Sequence, residues 1–158
     1  MPSTRQLFLD NLRLLSENDL EGWISLWDDD GAYELPFAPA GTPQRIQGKA
    51  KVRDYMGAVL AAMEPVPGEA SRWQFWDIAA YETTDPRILF AEYKGRSQLR
   101  PSGRLYSQTY CARVSASAEG RILLYREHWN PMIFVDGLGS LAAAQDVFRD
   151  FEFAPLEA

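Results

Sequence analysis

Histidine and cysteine are almost missing from this chain of 158 residues, which has one of each, His128 and Cys111. A single cysteine excludes an intramolecular disulfide framework and a cysteine-built metal cluster. A zinc site would need more ligands than any one region supplies, so no metal is expected. Long apolar runs are missing too. The start Met1-Pro2-Ser3-Thr4-Arg5-Gln6 leads into none, nothing signals secretion or a membrane span, and a cytoplasmic location is the default. Positive charge is never clustered: sixteen Lys and Arg are scattered among twenty-two Asp and Glu for a net charge of −6, which argues against nucleic acid and membrane partners. There is no glycine-rich phosphate loop, no Ser-His-Asp set and no nucleotide fingerprint, so cofactor-free chemistry is expected.

What the chain has in excess is aromatic side chains, 13% of its residues, enough to line an apolar cavity as well as fill a core. Its length suits one domain spanning residues 1–158. Ser3 with Gln6 three residues later reads as a capping box opening a helix over residues 3–15. Asn18 with Glu21 repeats the device before Leu20, Trp23, Ile24 and Trp27, the apolar face of a short second helix. Asp28-Asp29-Asp30-Gly31 lacks the spacing of a calcium loop and reads as a solvated turn. Residues 31–37 alternate like a strand. After Gly48, Val52, Tyr55, Met56, Val59, Leu60 and Met63 form the stripe of a long helix that ends before Pro65.

From Arg72 onward four strand-like runs follow, over residues 72–82, 87–99, 104–115 and 121–134, joined by short turn chemistries that favour antiparallel pairing of neighbours. A last helix is expected over residues 140–151. Three helices, then a long meander, then a helix make an α+β fold, in which a sheet curled around the long helix would leave a cone-shaped pocket.

The run Leu123-Leu124-Tyr125-Arg126-Glu127-His128-Trp129-Asn130-Pro131 carries the most chemistry. Alternation puts Leu123, Tyr125, Glu127 and Trp129 on one face, so a carboxyl stands between two aromatic walls, where the anion is disfavoured and the pKa rises toward the range useful for acid or base work. Glu92 alternates with Ile88, Phe90 and Lys94 and could reach the same cavity as a second carboxyl, dividing acid and base roles with Glu127. Tyr106, Gln108 and Tyr110 share a face and, with Tyr33, are either donors to a substrate oxyanion or aromatic lining. His128 falls opposite Glu127, which suits an interface or structural role. Cys111 reads as a small buried hydrophobe.

The order of these elements, with Asn18-Asp19-Leu20-Glu21-Gly22, Leu26-Trp27, Gly31-Ala32-Tyr33-Glu34 and Gly48-Lys49, resembles the superfamily of nuclear transport factor two, ketosteroid isomerase and the SnoaL-like polyketide cyclases. The closing pattern, Gly120-Arg121-Ile122 and then Tyr125 to Pro131, is similar to the phenazine-biosynthesis A and B proteins. The resemblance implies a cone-shaped, mixed curved sheet, a homodimer, and a glutamate acid/base at Glu127. It departs from ketosteroid isomerase: Leu35 precedes the proline where that enzyme has its aspartate base, Asn11 stands where it has an oxyanion tyrosine, and its aspartic acid donor falls near Tyr110. Tyr55 and Val59 replace the polar pair of the phenazine proteins. The implied function is a cofactor-independent isomerase, cyclase, hydratase or lyase acting on a small, largely apolar carbonyl metabolite. Glu127 and Glu92 would be catalytic, with Tyr33, Tyr55, Tyr106, Gln108, Tyr110, Tyr125 and Trp129 binding substrate. The alternative is a non-catalytic binding or dimerisation module of the same fold.

Overall fold

The architecture comes from a computed structural model, which describes residues 1–153. Helix α1 spans Thr4–Ser16, and Ser3 caps it as predicted, its hydroxyl accepting from the Gln6 backbone N–H at 3.1 Å. Helix α2 spans Leu20–Ser25 and is capped by Asp19 rather than Asn18, the carboxylate accepting from Gly22 N–H at 2.8 Å. Asn18 turns the chain with φ 59°, a left-handed conformation that asparagine tolerates. Helix α3, Lys49–Ala61, buries Val52, Tyr55, Met56 and Leu60 along one stripe.

Among the described residues seven strands form one sheet: β1 Trp27–Glu34, β2 Arg45–Gln47, β3 Met63–Glu64, β4 Gln74–Glu82, β5 Ile88–Leu99, β6 Arg104–Ala116 and β7 Ile122–His128. The order is β2-β1-β7-β6-β5-β3, and β4 pairs with β5 along the same edge as β3. All pairs are antiparallel except β1 with β7, so the sheet is mixed. It curls into a half-barrel cone, with α3 packed across β1 and α1 against β4, β5 and β6. The inner face holds the core: Leu89, Ala91 and Tyr93 of β5, Ala112 and Val114 of β6, and Tyr125 of β7 meet Leu7, Phe8 and Leu12 of α1. Among the described residues no helix is long and apolar enough to cross a membrane.

Four expectations about elements change. Trp27 begins β1 instead of closing α2, because Trp27 pairs with Ile122 on β7. Residues 28–30 bulge out between the Trp27 and Ala32 pairings, with Asp29 and Asp30 exposed, so the acidic run is solvated within a strand rather than in a turn. The last long strand stops at His128. Asn130 then accepts from Met132 N–H at 3.0 Å and Pro131 takes the first helical position of α4, Pro131–Leu138, an arrangement in which the missing proline N–H does no harm. Gly139, at φ 99°, ends α4, and a separate short α5, Leu141–Asp146, follows under a Ser140 cap. The fourth change is at Leu123: the register shifts between the Ser115–Leu124 and Ala116–Ile122 pairs, so Ile122 is buried and Leu123 is turned to solvent.

Candidate active site

Glu127 is 5% exposed, on the inner face of β7. Opposite it on β6 lies Ala112, and beyond that Ala91 on β5, so two methyl groups leave room for side chains to lean across. Tyr93 of β5 uses that room and donates its hydroxyl to Glu127 Oε2. From the other side Tyr33 of β1, which the parallel register pairs with Tyr125, donates to Oε1 at 3.2 Å. The hydroxyls of Tyr93 and Tyr125 lie 2.8 Å apart, and since Tyr93 donates to Glu127, Tyr125 donates to Tyr93. Both carboxyl oxygens of Glu127 are thus held by phenols.

Burial pushes the Glu127 carboxyl up to about 7, against the opposing effect of the hydrogen bonds from Tyr93 and Tyr33, which favour the anion. Near neutral pH the group is divided between acid and base forms. Burial and then the Glu127 charge hold Tyr33 and Tyr93 well above the usual phenol range, so both remain protonated donors.

In front of Glu127 lies a cavity of about 40 Å³. Trp129 and Phe134 wall one side, their rings edge to face at 5.5 Å. Tyr55 of α3, stacked on Phe148 at 5.5 Å, walls another, with Val59 and Met63 beyond it. Tyr106, Tyr110 and Trp73 line the remainder. Among the described residues the lining holds no Lys, Arg or His, and Glu127 is its one charged group. Burial raises the phenol of Tyr106 to about 12 and that of Tyr110 well above its usual value, so these too keep their protons.

Apart from Glu92, the site residues expected from the sequence divide into three sets. Glu127, Tyr55, Tyr106, Tyr110 and Trp129 meet at the cavity. Tyr33 and Tyr125 stand behind Glu127 and hold it, directly or through Tyr93. Gln108 is buried and its amide is occupied within the protein: it donates to Asn130 O at 2.9 Å and to the Tyr106 hydroxyl at 3.3 Å and accepts from Asn130 N–H at 3.2 Å, which pins the start of α4.

Glu92 does not reach the cavity. It is exposed on the outer face, where the Tyr81 hydroxyl donates to it at 3.3 Å, because strand alternation gives the inner face to Ala91 and Tyr93. Cys111 is likewise exposed rather than buried, since Tyr110 and Ala112 take the inner positions of β6. Glu92, Cys111 and His128 are ladder partners in one outer row, and Phe37 meets His128 edge-on at 5.0 Å. Among the described residues no three His, Cys, Asp or Glu side chains converge as a metal site.

Three features escaped the sequence reading. Tyr93 and Trp73 are two; the third is Glu34, a buried carboxylate clamped by Arg45 and by Arg126 Nε at 2.6 Å. Glu34 is the arginine-paired glutamate of this sheet, and Glu127 is held by tyrosines alone.

No family model matches the chain. An uncharacterised PhzA/B-like protein of Pseudomonas aeruginosa is 32% identical over 147 residues, which cover 93% of this chain and 98% of that protein. A crystal structure of a proposed isomerase from Bacillus subtilis, 27% identical, superposes over 86% of this chain and 92% of its own with a TM-score of 0.76. A Mycobacterium tuberculosis protein in complex with estradiol-17beta-hemisuccinate shares the fold at 19% identity, with a TM-score of 0.70 over 84% of this chain and 98% of its own. With a carboxyl-tipped apolar cone and a relative matched almost end to end, the chain belongs to the PhzA/B-like proteins of the nuclear transport factor two superfamily, within the ketosteroid-isomerase-like fold.

Proposed function

We propose that this protein is a cofactor-independent acid/base enzyme of isomerase, cyclase or lyase type, acting on a small, largely apolar, carbonyl-containing metabolite. One observation carries the reading: a carboxyl with pKa about 7 forms the charged end of an otherwise apolar cavity. A base works best when its pKa lies near the working pH. As carboxylate, Glu127 takes a proton from the carbon next to the substrate carbonyl, and the electron pair moves onto the carbonyl oxygen as an enolate. As carboxylic acid it returns the proton to the same or another carbon. Tyr106 and Tyr110, which line the cavity and keep their protons, donate to the developing oxyanion. Tyr33, Tyr93 and Tyr125 hold the base. The steroid derivative in the structurally similar mycobacterial protein is consistent with an apolar ligand in a cone of this kind.

The test is deuterium uptake. Apolar ketones incubated in D2O with the protein should gain deuterium beside the carbonyl, read by mass spectrometry, and Glu127→Gln should bind them while slowing uptake by about 10²-fold or more. Equal uptake with both proteins, or none above buffer, sinks the assignment.

The functional unit in this reading is a homodimer built on the outer face of the sheet. Among the described residues half-buried Arg113 has no ion-pair partner, and exposed Glu92 lies on the same face one strand away, so two copies related by a twofold axis can pair Arg113 with Glu92 reciprocally over exposed Phe90 and Tyr81. A monomer by light scattering at micromolar concentration would end this part of the proposal, and Arg113→Glu should dissociate the pair.

A further inference from the structure

Among the described residues the Trp73 indole N–H is buried without a hydrogen-bond partner in the wall of the cavity, and so is the Tyr110 hydroxyl. The two groups are neighbours. Trp73 lies beside the Tyr110 hydroxyl, and Tyr110 beside the Tyr106 hydroxyl, yet neither approach reaches hydrogen-bond geometry. Tyr106 accepts from Gln108 Nε2 at 3.3 Å, so its oxygen is occupied while its proton is available to the cavity. All three side chains are more than nine-tenths buried. Buried donors in folded proteins are almost always paired, and an unpaired group in a cavity wall calls for an acceptor brought from outside.

The strand behind them is shaped to permit this cluster. Gly95 sits in the middle of β5 with ordinary backbone angles, where glycine weakens a strand. A methyl group there would lie 2.8 Å from Trp73 Nε1 and 3.0 Å from Tyr110 Cε2. The missing side chain is the slot that seats the indole and the phenol side by side, with the Trp73 and Tyr110 rings edge to face at 6.1 Å. The sign of the charge in the cavity then restricts the ligand. Among the described residues Glu127 is its one carboxyl, and no basic side chain lines it to offset a second anion. A ligand carboxylate would enter an apolar space beside Glu127 uncompensated.

Building on the proposed function, we infer that Trp73 is the specificity-determining donor of the site, that with Tyr110 and Tyr106 it forms a carbonyl-binding subsite, and that the ligand is a neutral ketone or enone rather than a carboxylate. The three donors hold the ligand oxygen, and Glu127 addresses the carbon beside it.

Three one-ring probes separate the contributions by calorimetry at pH 8: acetophenone supplies the neutral carbonyl, ethylbenzene lacks an acceptor, and benzoate carries the anion. Trp73→Phe, which keeps an aromatic ring and removes the N–H, should weaken acetophenone by about 5- to 30-fold while changing ethylbenzene less than about 2-fold. Tyr110→Phe, which removes only a hydroxyl, should do the same and serves as the measurement if the tryptophan variant does not fold. Benzoate should bind wild-type protein at least about tenfold more weakly than acetophenone. Equal losses for acetophenone and ethylbenzene would reduce Trp73 and Tyr110 to packing residues. Benzoate binding as tightly as acetophenone, or no acetophenone binding at millimolar concentration, would overturn the assignment as well. Deuterium uptake at the acetophenone methyl group reports on Glu127 separately. Binding selectivity without Glu127-dependent uptake refutes the proposed base and leaves the subsite standing, and the reverse result refutes the subsite alone.

Discussion

The Tyr93 hydroxyl reaches Glu127 across an intervening strand, passing over Ala112 on β6, and donates to the carboxyl oxygen that Tyr33 leaves free. The bond favours the anion of a group that burial drives toward neutrality, so Tyr93 sets where Glu127 titrates.

Tyr93→Phe removes a donor to the anion and should raise the Glu127 pKa further. The acid limb of a pH–rate profile for deuterium uptake should move to higher pH, and uptake at pH 7 should fall because less carboxylate is present. Carbon-13 NMR of labelled glutamate reads the titration directly. An unmoved titration would mean that the hydroxyl does not contact the carboxyl in solution.

Stability should fall as pH rises through Glu127's own window. The group titrates near 4.5 when unfolded and at about 7 when folded. Below this window both states hold the proton. Within it the unfolded chain releases the proton that the fold retains, so stability drops with rising pH and levels off above about 7. The gap corresponds to about 3 kcal/mol. Urea unfolding at pH 5 and pH 8 should show most of this loss in wild type and a much smaller one in Glu127→Gln.

Tyr110→Phe deletes a buried hydroxyl that has no bonded partner. Its unfolding free energy should match wild type or exceed it by up to about 1 kcal/mol. A loss above about 1 kcal/mol would show the hydroxyl to be satisfied in the unliganded protein.

Asn11 accepts from the Trp23 indole at 2.6 Å between α1 and α2, both groups buried. Asn11→Ala strands that N–H and should cost about 1–3 kcal/mol in chemical denaturation. Asn11 thus serves the helix pair.

Much of the cone was legible. The Ser3 cap of α1, the stripe of α3 and the three long meander strands were plain, and each element lies within two or three residues of its expected bounds, although the Gln6 side chain turns to Asp10 instead of closing the capping box. Glu127 was legible because its neighbours at one-residue intervals are aromatic. Tyr93 was overlooked because a carboxyl at Glu92 draws attention, although β5 carried the deciding signal. Leu89, Ala91, Tyr93, Gly95, Ser97 and Leu99 hold no charge, whereas Glu92, Lys94 and Arg96 all fall on the other parity. Asn130-Pro131 likewise announced α4, as a cap followed by a proline at the first helical position. The bulge at Leu123 left no such mark, since it depends on how β6 and β7 pair. Trp73 was beyond reach for the same reason: its place depends on a glycine two strands' length away in sequence and adjacent in space.

The single parallel ladder of the sheet joins its first long strand to its last, and the Tyr33–Glu127 bond across it spans 94 residues. Contacts this distant along the chain carry the largest loop-closure cost and form late. On the ribosome β1 has to wait, its inner edge unpaired, until β7 has emerged, so the base is assembled only in a chain that has finished its sheet. Refolding followed by Tyr33–Tyr125 ring signals should therefore lag behind the β5–β6 hairpin. A chain in which the base becomes ordered before that hairpin closes would contradict this order of events.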